Sequence, residues 1–147
     1  MVGYKHILLA ADFSEHNKEV ANRAKDLADK YQAKLSIVHV IDNLPIADEA
    51  YGSAIPFDAD VTEELMTAAK KKLARQAEKL GIAEDCQWLE LGSPKLEIIR
   101  IAEENEVDLI VVGSHGRHGW ALLLGSTANG VLHHARCDVL AVRLRDD

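Results

Sequence analysis

Two short apolar runs place the tightest constraint on how this chain folds. Residues 7–10 read Ile-Leu-Leu-Ala and residues 109–112 read Leu-Ile-Val-Val, with no polar side chain inside either run. A strand with one face in water alternates apolar and polar residues, whereas a strand covered on both faces does not need to alternate. Both runs are therefore predicted to be strands of a parallel sheet that is covered by helices.

Helices and strands are predicted to alternate along the whole chain. The strands are expected at 4–11, 34–41, 86–91, 109–112 and 137–144, and the helices at 15–31, 60–80, 94–105 and 126–135. This alternation predicts an α/β fold with an open, doubly wound five-stranded parallel sheet and helices on both faces, and we expect its strand order to be 3-2-1-4-5. The length of 147 residues is typical of a single domain.

Cap residues mark several of the predicted helix ends. Ser14 is expected to cap the first helix and Ser93 the third, where Pro94 takes the first helical position. Gly81 is expected to end the second helix. The connection 42–59 contains two prolines and is long for a compact domain, so it is expected to be functional or mobile.

A glycine-rich loop follows the fourth strand. Gly113, Gly116 and Gly119 come first, and Gly-Ser-Thr at 125–127 then leads into the last helix. Glycine lets a backbone approach a ligand closely, and a helix N-terminus offers N–H groups that suit a phosphate. In open parallel sheets, ligands bind beyond the carboxyl ends of the strands, where the strand order reverses. With order 3-2-1-4-5, Asp12 at the end of strand one and Gly113 would face the same crevice.

Charge and cysteine content restrict the possible partners and location. The net charge of −7 argues against a general affinity for nucleic acid or for an anionic membrane, because either would need a basic surface. Any phosphate site must therefore be local and built largely from backbone N–H groups. Cys86 and Cys137 lack metal-ligand spacing, so reduced thiols in a cytoplasmic protein are expected. The chain shows no signal peptide and no apolar run of about 20 residues, the length that a membrane-spanning helix needs.

The sequence lacks the motifs of several enzyme classes. There is no Gly-x-x-x-x-Gly-Lys-Ser/Thr, no Gly-x-Gly-x-x-Gly and no Gly-x-Ser-x-Gly. A receiver domain would need a phosphoacceptor aspartate after the third strand, where residues 91–94 read Leu-Gly-Ser-Pro. His115 and His118 lie in the glycine-rich loop, which supplies no paired carboxylate or nucleophile for them. No catalytic residue is therefore assigned, and an enzyme is the less favoured interpretation.

Each candidate residue also has a purely structural interpretation. Gly113 and Gly116 can be turn glycines, and Asp12 can be a helix-entry residue. Ser126 caps a helix under either interpretation, because capping and phosphate binding use the same end of the helix. His39 lies within a predicted strand and is expected to be a structural core or edge residue.

Several segments together resemble the universal stress protein family, the UspA-like group. They are Ala-Ala-Asp-Phe-Ser at 10–14, Val-His-Val-Ile at 38–41, Val-Gly-Ser-His-Gly-Arg at 112–117, Leu-Leu-Leu-Gly-Ser at 122–126, and the final strand within 137–146. The resemblance covers essentially the whole chain. Nucleotide-binding members carry Gly, two residues, Gly, nine residues, Gly and Ser or Thr. Here the second gap, 117–124, holds eight residues.

The resemblance implies that the chain binds ATP, or AMP or ADP, with Mg²⁺ or Mn²⁺ as a possible companion. Asp12 would contact the ribose or a metal-bound phosphate, Val40 the adenine edge through its backbone, and Gly113 the ribose and α-phosphate. Gly116, Gly125, Ser126 and Thr127 would donate to the phosphates, with Arg117 as a neighbour. Ala10 would lie beside the base, and Ala11 and Val112 complete the candidate cofactor-binding set.

The resemblance also implies a homodimer that forms through the terminal strand, 139–144, and a stress-response role with an unknown protein partner. Two alternatives stay open. The chain is either a slow nucleotide hydrolase or phosphotransferase, or a dimeric interaction protein of the same family that holds no nucleotide.

Overall fold

The computed structural model describes residues 3–13, 17–42, 59–114 and 126–143. The strands are β1 (His6–Ala10), β2 (Lys34–Asp42), β3 (Gln87–Gly92), β4 (Leu109–Gly113) and β5 (Asp138–Val142). The helices are α1 (Asn17–Tyr31), α2 (Ala59–Leu80), α3 (Pro94–Glu104) and α4 (Ser126–His134). All strand pairs are parallel, and the strands lie in the order β3-β2-β1-β4-β5. The predicted fold class and strand order are confirmed.

Some predicted element bounds need small corrections. The sequence predicts a strand that begins at Cys86. In the structure the Cys86 N–H closes a 3-10 turn, Glu84–Cys86, with a donor–acceptor distance of 2.9 Å, and β3 begins at Gln87. Ser126 is the first residue of α4 instead of its cap. Such ends are set by individual hydrogen bonds, so residue type locates them only to within a residue or two. Ser14 and residues 43–58 lie outside the described residues.

Ser93 occupies the N-cap position of α3, as predicted, but its side chain makes no capping hydrogen bond. Its carbonyl accepts the N–H of Glu97 at 2.9 Å, which is the first hydrogen bond of the helix. Pro94 opens the helix, as predicted, where a missing N–H has no cost because the first N–H groups of a helix have no partner inside it.

Alternate residues of the inner strands pack into two apolar layers. Ile7 and Leu9 face a cluster that includes side chains of α1 and α2, whereas Leu8 faces a cluster that includes side chains of α3 and α4. All three are fully buried. Burial of one such side chain stabilises the fold by about 1.5–3 kcal/mol. Helices therefore cover both faces of the sheet, as the apolar runs predict.

The helices α1, α2 and α3 end in the same hydrogen-bonded turn. After α2, the N–H of Ile82 donates to the Ala77 carbonyl at 2.8 Å, and the equivalent bonds after α1 and α3 measure 2.8 and 2.9 Å. This Schellman arrangement needs a residue with positive φ just past the helix. Gly81 supplies it with φ 71°, as predicted, but Gln32 and Glu106 adopt φ 53° and 55° at the equivalent positions.

Gly81→Ala is expected to lower the free energy of unfolding by about 1 kcal/mol, because alanine must then adopt a left-handed conformation. No atom lies within 4 Å of a Cβ built on Gly81, so the change tests backbone strain without a clash. Glu106→Gly makes the reverse exchange at the same kind of site and should raise stability by up to about 1 kcal/mol. Urea unfolding measures the stability of both variants. A Gly81→Ala variant with an unchanged free energy of unfolding would show that this position imposes no backbone strain.

A buried polar cluster closes the amino ends of the strands. His6 is 7% exposed. Its Nδ1–H donates to the Asn105 carbonyl at 2.9 Å, and the Ser36 hydroxyl donates to its Nε2 at 2.6 Å. The Asp108 carboxylate accepts the backbone N–H groups of Lys5 and His6 at 2.8 and 3.0 Å. Burial lowers the pKa of His6, although the Asn105 carbonyl acts in the opposite direction. A neutral imidazole therefore suits this cluster.

The lowered pKa of His6 predicts a loss of stability in mild acid. The unfolded chain binds this proton first, at about pH 6.5, so stability falls from there as the pH drops through the lower folded pKa. The slope due to one proton approaches about 1.4 kcal/mol per pH unit. Urea unfolding at several pH values should show this component in the wild type and in His133→Gln, an exposed control, but not in His6→Gln. Equal slopes in all three proteins would contradict the assignment.

Candidate functional site

The strand order reverses between β1 and β4, where the sequence places the site. These strands pair in parallel, with Leu9 opposite Val111. Continued by one and two residues, this register places Ala10 beside Val112 and Ala11 beside Gly113. The carboxyl ends of β1 and β4 are therefore neighbours, although they are about a hundred residues apart in sequence. This is the position at which open parallel sheets bind their ligands.

A floor of small apolar side chains lies under this reversal point. Ala10, Val40 and Val112 belong to one buried cluster, and Ala128 of α4 joins them. Val40 is 9% exposed, whereas Val112 and Ala128 are almost fully covered. The β1–β2 register, in which Ala10 pairs with Val38, brings Val40 level with Asp12. The structure thus brings together the candidates on β1, β2 and β4 that are far apart in sequence.

The chain leaves β1 through an unusual turn. The N–H of Ala11 still donates to the Val38 carbonyl at 2.9 Å, and Asp12 is exposed. Phe13 then adopts φ 60°, a conformation that L-residues other than Gly, Asn and Asp seldom take. The steric cost for such a residue is roughly 1–2 kcal/mol. Backbone strain of this kind clusters at functional sites, where the surrounding contacts must hold it.

His39 supplies such contacts. Its Nδ1–H donates to the Ala11 carbonyl at 2.7 Å. Its ring lies against the Phe13 ring, with centroids 4.1 Å apart and planes inclined by 36°. The sequence interpretation treats His39 as a core or edge residue and assigns no role to Phe13. The sequence could have indicated a role for His39 only through its position, because His39 directly precedes Val40 near the carboxyl end of β2.

The opposite wall is formed by the end of β4 and the start of α4. The N–H of Ser114 donates to the Val142 carbonyl at 2.9 Å, so pairing with β5 continues one residue past Gly113. Ala128 and Val131 anchor α4 in the core, with Ser126 exposed and Thr127 half-buried at its N-terminus. The first turn of α4 has no acidic residue. Its positive dipole end is therefore not offset by a carboxylate from its own first turn.

Most of the candidate cofactor-binding residues are described, but the middle of the glycine loop is not. The described candidates are Ala10, Ala11, Asp12, Val40, Val112, Gly113, Ser126 and Thr127, and those outside the described residues are Gly116, Arg117 and Gly125. His115 and His118 also lie outside them. The effect of the eight-residue gap at 117–124 therefore stays a prediction.

The described residues contain no group of three or more His, Cys, Asp and Glu side chains that would hold a metal ion by themselves. A single carboxylate, Asp12, is compatible with Mg²⁺ only as a partial ligand, because Mg²⁺ keeps several waters and takes its other oxygens from substrate phosphates. Among the described helices, none has the length and apolar character that crossing a bilayer requires.

Two grooves in the described part of the molecule lie away from the reversal point. A groove of about 640 Å³ runs between α1 and β5, and Asn22, Arg23, Leu140 and Arg143 contribute to its walls. A smaller one of about 310 Å³ lies between α3 and the residues that connect α4 to β5. Neither contains a residue of the candidate cofactor-binding set.

Comparisons with known proteins agree with this fold and show its family. Residues 3–143 match the model of the universal stress protein family. Universal stress protein A homolog 2 of Coxiella burnetii is 42% identical over 146 residues, which cover 99% of each chain. The solved structure of hypothetical protein MJ0577 superposes with a TM-score of 0.81 at 30% identity, covering 99% of this chain and all of that one. A universal stress protein solved in complex with cAMP superposes with a TM-score of 0.65 at 25% identity, covering 96% and 98% of the two chains.

Proposed function

The chain belongs to the universal stress protein family, and we propose that it binds ATP, or ADP or AMP, beyond the carboxyl ends of β1 and β4. The observation that carries this proposal is the convergence of Asp12, Val40 and the N-terminus of α4 at the reversal of strand order. The relative solved with cAMP supports a nucleotide as the class of ligand. In this proposal residues 1–147 form one nucleotide-binding domain of a cytoplasmic stress-response protein.

The base and the ribose occupy the part of the site nearest β1 and β2. The backbone of Val40 contacts the adenine edge, and Ala10, Ala11 and Val112 provide small side chains that leave room for a flat base. The Asp12 carboxylate accepts hydrogen bonds from the ribose hydroxyls or contacts a metal-bound phosphate, with Gly113 close to the ribose and the α-phosphate. A charge-assisted hydrogen bond of this kind contributes roughly 1.5–3 kcal/mol.

The phosphates lie against the glycine loop and α4. Gly116, Gly125, Ser126 and Thr127 donate N–H or hydroxyl groups to them, and Arg117 adds a positive charge. The helix dipole of α4 adds to this attraction. Mg²⁺ or Mn²⁺ binds with the nucleotide. No residue is assigned to activate a nucleophile, so the nucleotide acts as a signal in this proposal, with at most slow hydrolysis.

Asp12→Ala is expected to weaken Mg-ATP binding by roughly 10- to 100-fold, because the ribose or metal loses a charged acceptor. Isothermal titration measures the Kd of the purified, nucleotide-free protein. Asp29→Ala is the control, since it removes an exposed aspartate from the last turn of α1, next to the start of β2 and far from the site. Equal affinity of the Asp12→Ala variant and the wild type would remove Asp12 from the site.

Two further measurements separate the alternatives. Gly116→Val should abolish binding while the circular dichroism spectrum and the melting temperature stay those of a folded protein. Chromatography of the nucleotide released by denaturation shows what the protein carries when purified. If neither titration nor release detects a nucleotide, the chain is a nucleotide-free interaction protein. If ADP appears at equal rates in the wild type and Asp12→Ala, Asp12 takes no part in hydrolysis.

We propose in addition that β5 pairs with a second copy of the chain. β5 lies at one end of the strand order, so its outer edge faces no other strand among the described residues. Val139, Leu140 and Ala141 are only half-buried, and the groove between α1 and β5 runs alongside this edge. An edge strand with apolar side chains is a ready partner for an identical strand.

Ala141→Pro is expected to convert the dimer to monomer without disturbing the sheet. The Val142 carbonyl points toward β4, where it accepts the Ser114 N–H, so by strand alternation the N–H of Ala141 points outward. Proline removes that outward donor but leaves the β4–β5 hydrogen bonds intact. Sedimentation velocity should show a monomer for Ala141→Pro and a dimer for the wild type and for the control Ala141→Ser. A dimer in all three would exclude pairing through this edge.

A further inference from the structure

His39 contacts both neighbours of Asp12. On one side of Asp12, the Ala11 carbonyl accepts the Nδ1–H of His39 at 2.7 Å. On the other side, the Phe13 ring lies against the same imidazole, with ring centroids 4.1 Å apart. A carbonyl can only accept a hydrogen bond, so Nδ1 carries the proton in this arrangement. One side chain thus fixes the backbone before Asp12 and the side chain after it.

The strand that carries His39 is itself held on both edges. β2 pairs with β1 through Ala10 and Val38, and with β3 through His39 opposite Leu89. An imidazole mounted on such a strand has little freedom, and its hydrogen bond to Ala11 ties the exit of β1 to the neighbouring strand β2. The left-handed Phe13, with φ 60°, then turns the chain sharply just after Asp12.

We propose that His39 is a positioning residue of the nucleotide site. It holds the Ala11 carbonyl and the Phe13 ring so that the carboxylate of Asp12 stays at the mouth of the crevice between β1 and β4. This inference rests on the proposed nucleotide binding for its effect on affinity. It adds that the ribose or metal contact of Asp12 depends on a side chain of β2 that does not itself touch the ligand.

The two contacts of His39 are separable by substitution. His39→Asn keeps an N–H donor near the position of Nδ1 but lacks the ring. His39→Phe keeps a ring against Phe13 but has no donor for the Ala11 carbonyl. His39→Ala removes both contacts. Ile37→Val is the matched control, because Ile37 is fully buried on the same face of β2 two residues earlier, and its loss of a methylene lowers stability while His39 and its contacts with Ala11 and Phe13 are kept.

Titration with Mg-ATP well below the melting temperature should rank these variants. The Kd is expected to rise about tenfold or more for His39→Ala and His39→Phe, because the Ala11 carbonyl loses its donor. His39→Asn should recover most of that loss, and Ile37→Val should bind like the wild type. A His39→Ala variant that binds as tightly as the wild type would overturn the proposal, as would an equal loss of affinity in Ile37→Val.

A second readout tests the positioning without any nucleotide. The three-bond HN–Hα coupling and the carbon chemical shifts of Phe13 report its φ by NMR. Phe13 should leave the left-handed region in His39→Ala and keep it in Ile37→Val. If Phe13 keeps its conformation in His39→Ala, His39 does not position the turn. If wild-type protein binds no nucleotide but Phe13 shifts, the proposed function fails while the positioning role stands.

Discussion

The rest of the structure depends on the central position of β1. It is hydrogen-bonded to β2 on one edge and to β4 on the other, and Ile7, Leu8 and Leu9 are fully buried between two layers of helices. A strand enclosed in this way carries mainly apolar side chains, and a buried polar one such as His6 needs hydrogen-bond partners. Its backbone must be satisfied within the sheet. β2 and β4 pair with opposite edges of β1, so the strand order reverses beside β1. The place of the proposed site, at the carboxyl end of β1, follows from this topology.

The turns at the ends of α1 and α3 lead directly into β2 and β4, the strands that pair with β1. Just past the turn at Gln32, the N–H of Lys34 donates to the Lys5 carbonyl at 2.9 Å. Just past the turn at Glu106, the N–H of Asp108 donates to the His6 carbonyl at 3.0 Å. Gln32 and Glu106 are therefore each followed, two residues later, by a backbone hydrogen bond to the amino end of β1. These hydrogen bonds offset the backbone strain at the two positions, so neither position needs a glycine.

The sequence predicted those features that depend on local pattern. The apolar runs at 7–10 and 109–112 indicated the enclosed strands, and the alternation of strands and helices along the chain indicated the doubly wound parallel sheet. Gly81 marked its turn because glycine favours positive φ, but Gln32 and Glu106 gave no such indication, since their conformation comes from tertiary contacts. Phe13 and His39 were missed for the same reason. Their contact joins the ends of two strands and has no counterpart in residue spacing.

The two ends of the sheet use histidine differently, and the difference bears on where a ligand binds. At the amino end, both ring nitrogens of His6 have partners in the protein, and the Asp108 carboxylate accepts two backbone N–H groups, so these polar groups are turned inward. At the carboxyl end, His39 instead holds the backbone while Asp12 and the N-terminus of α4 reach the surface. The proposed nucleotide site accordingly lies at the carboxyl end, where Asp12 and Ser126 are exposed.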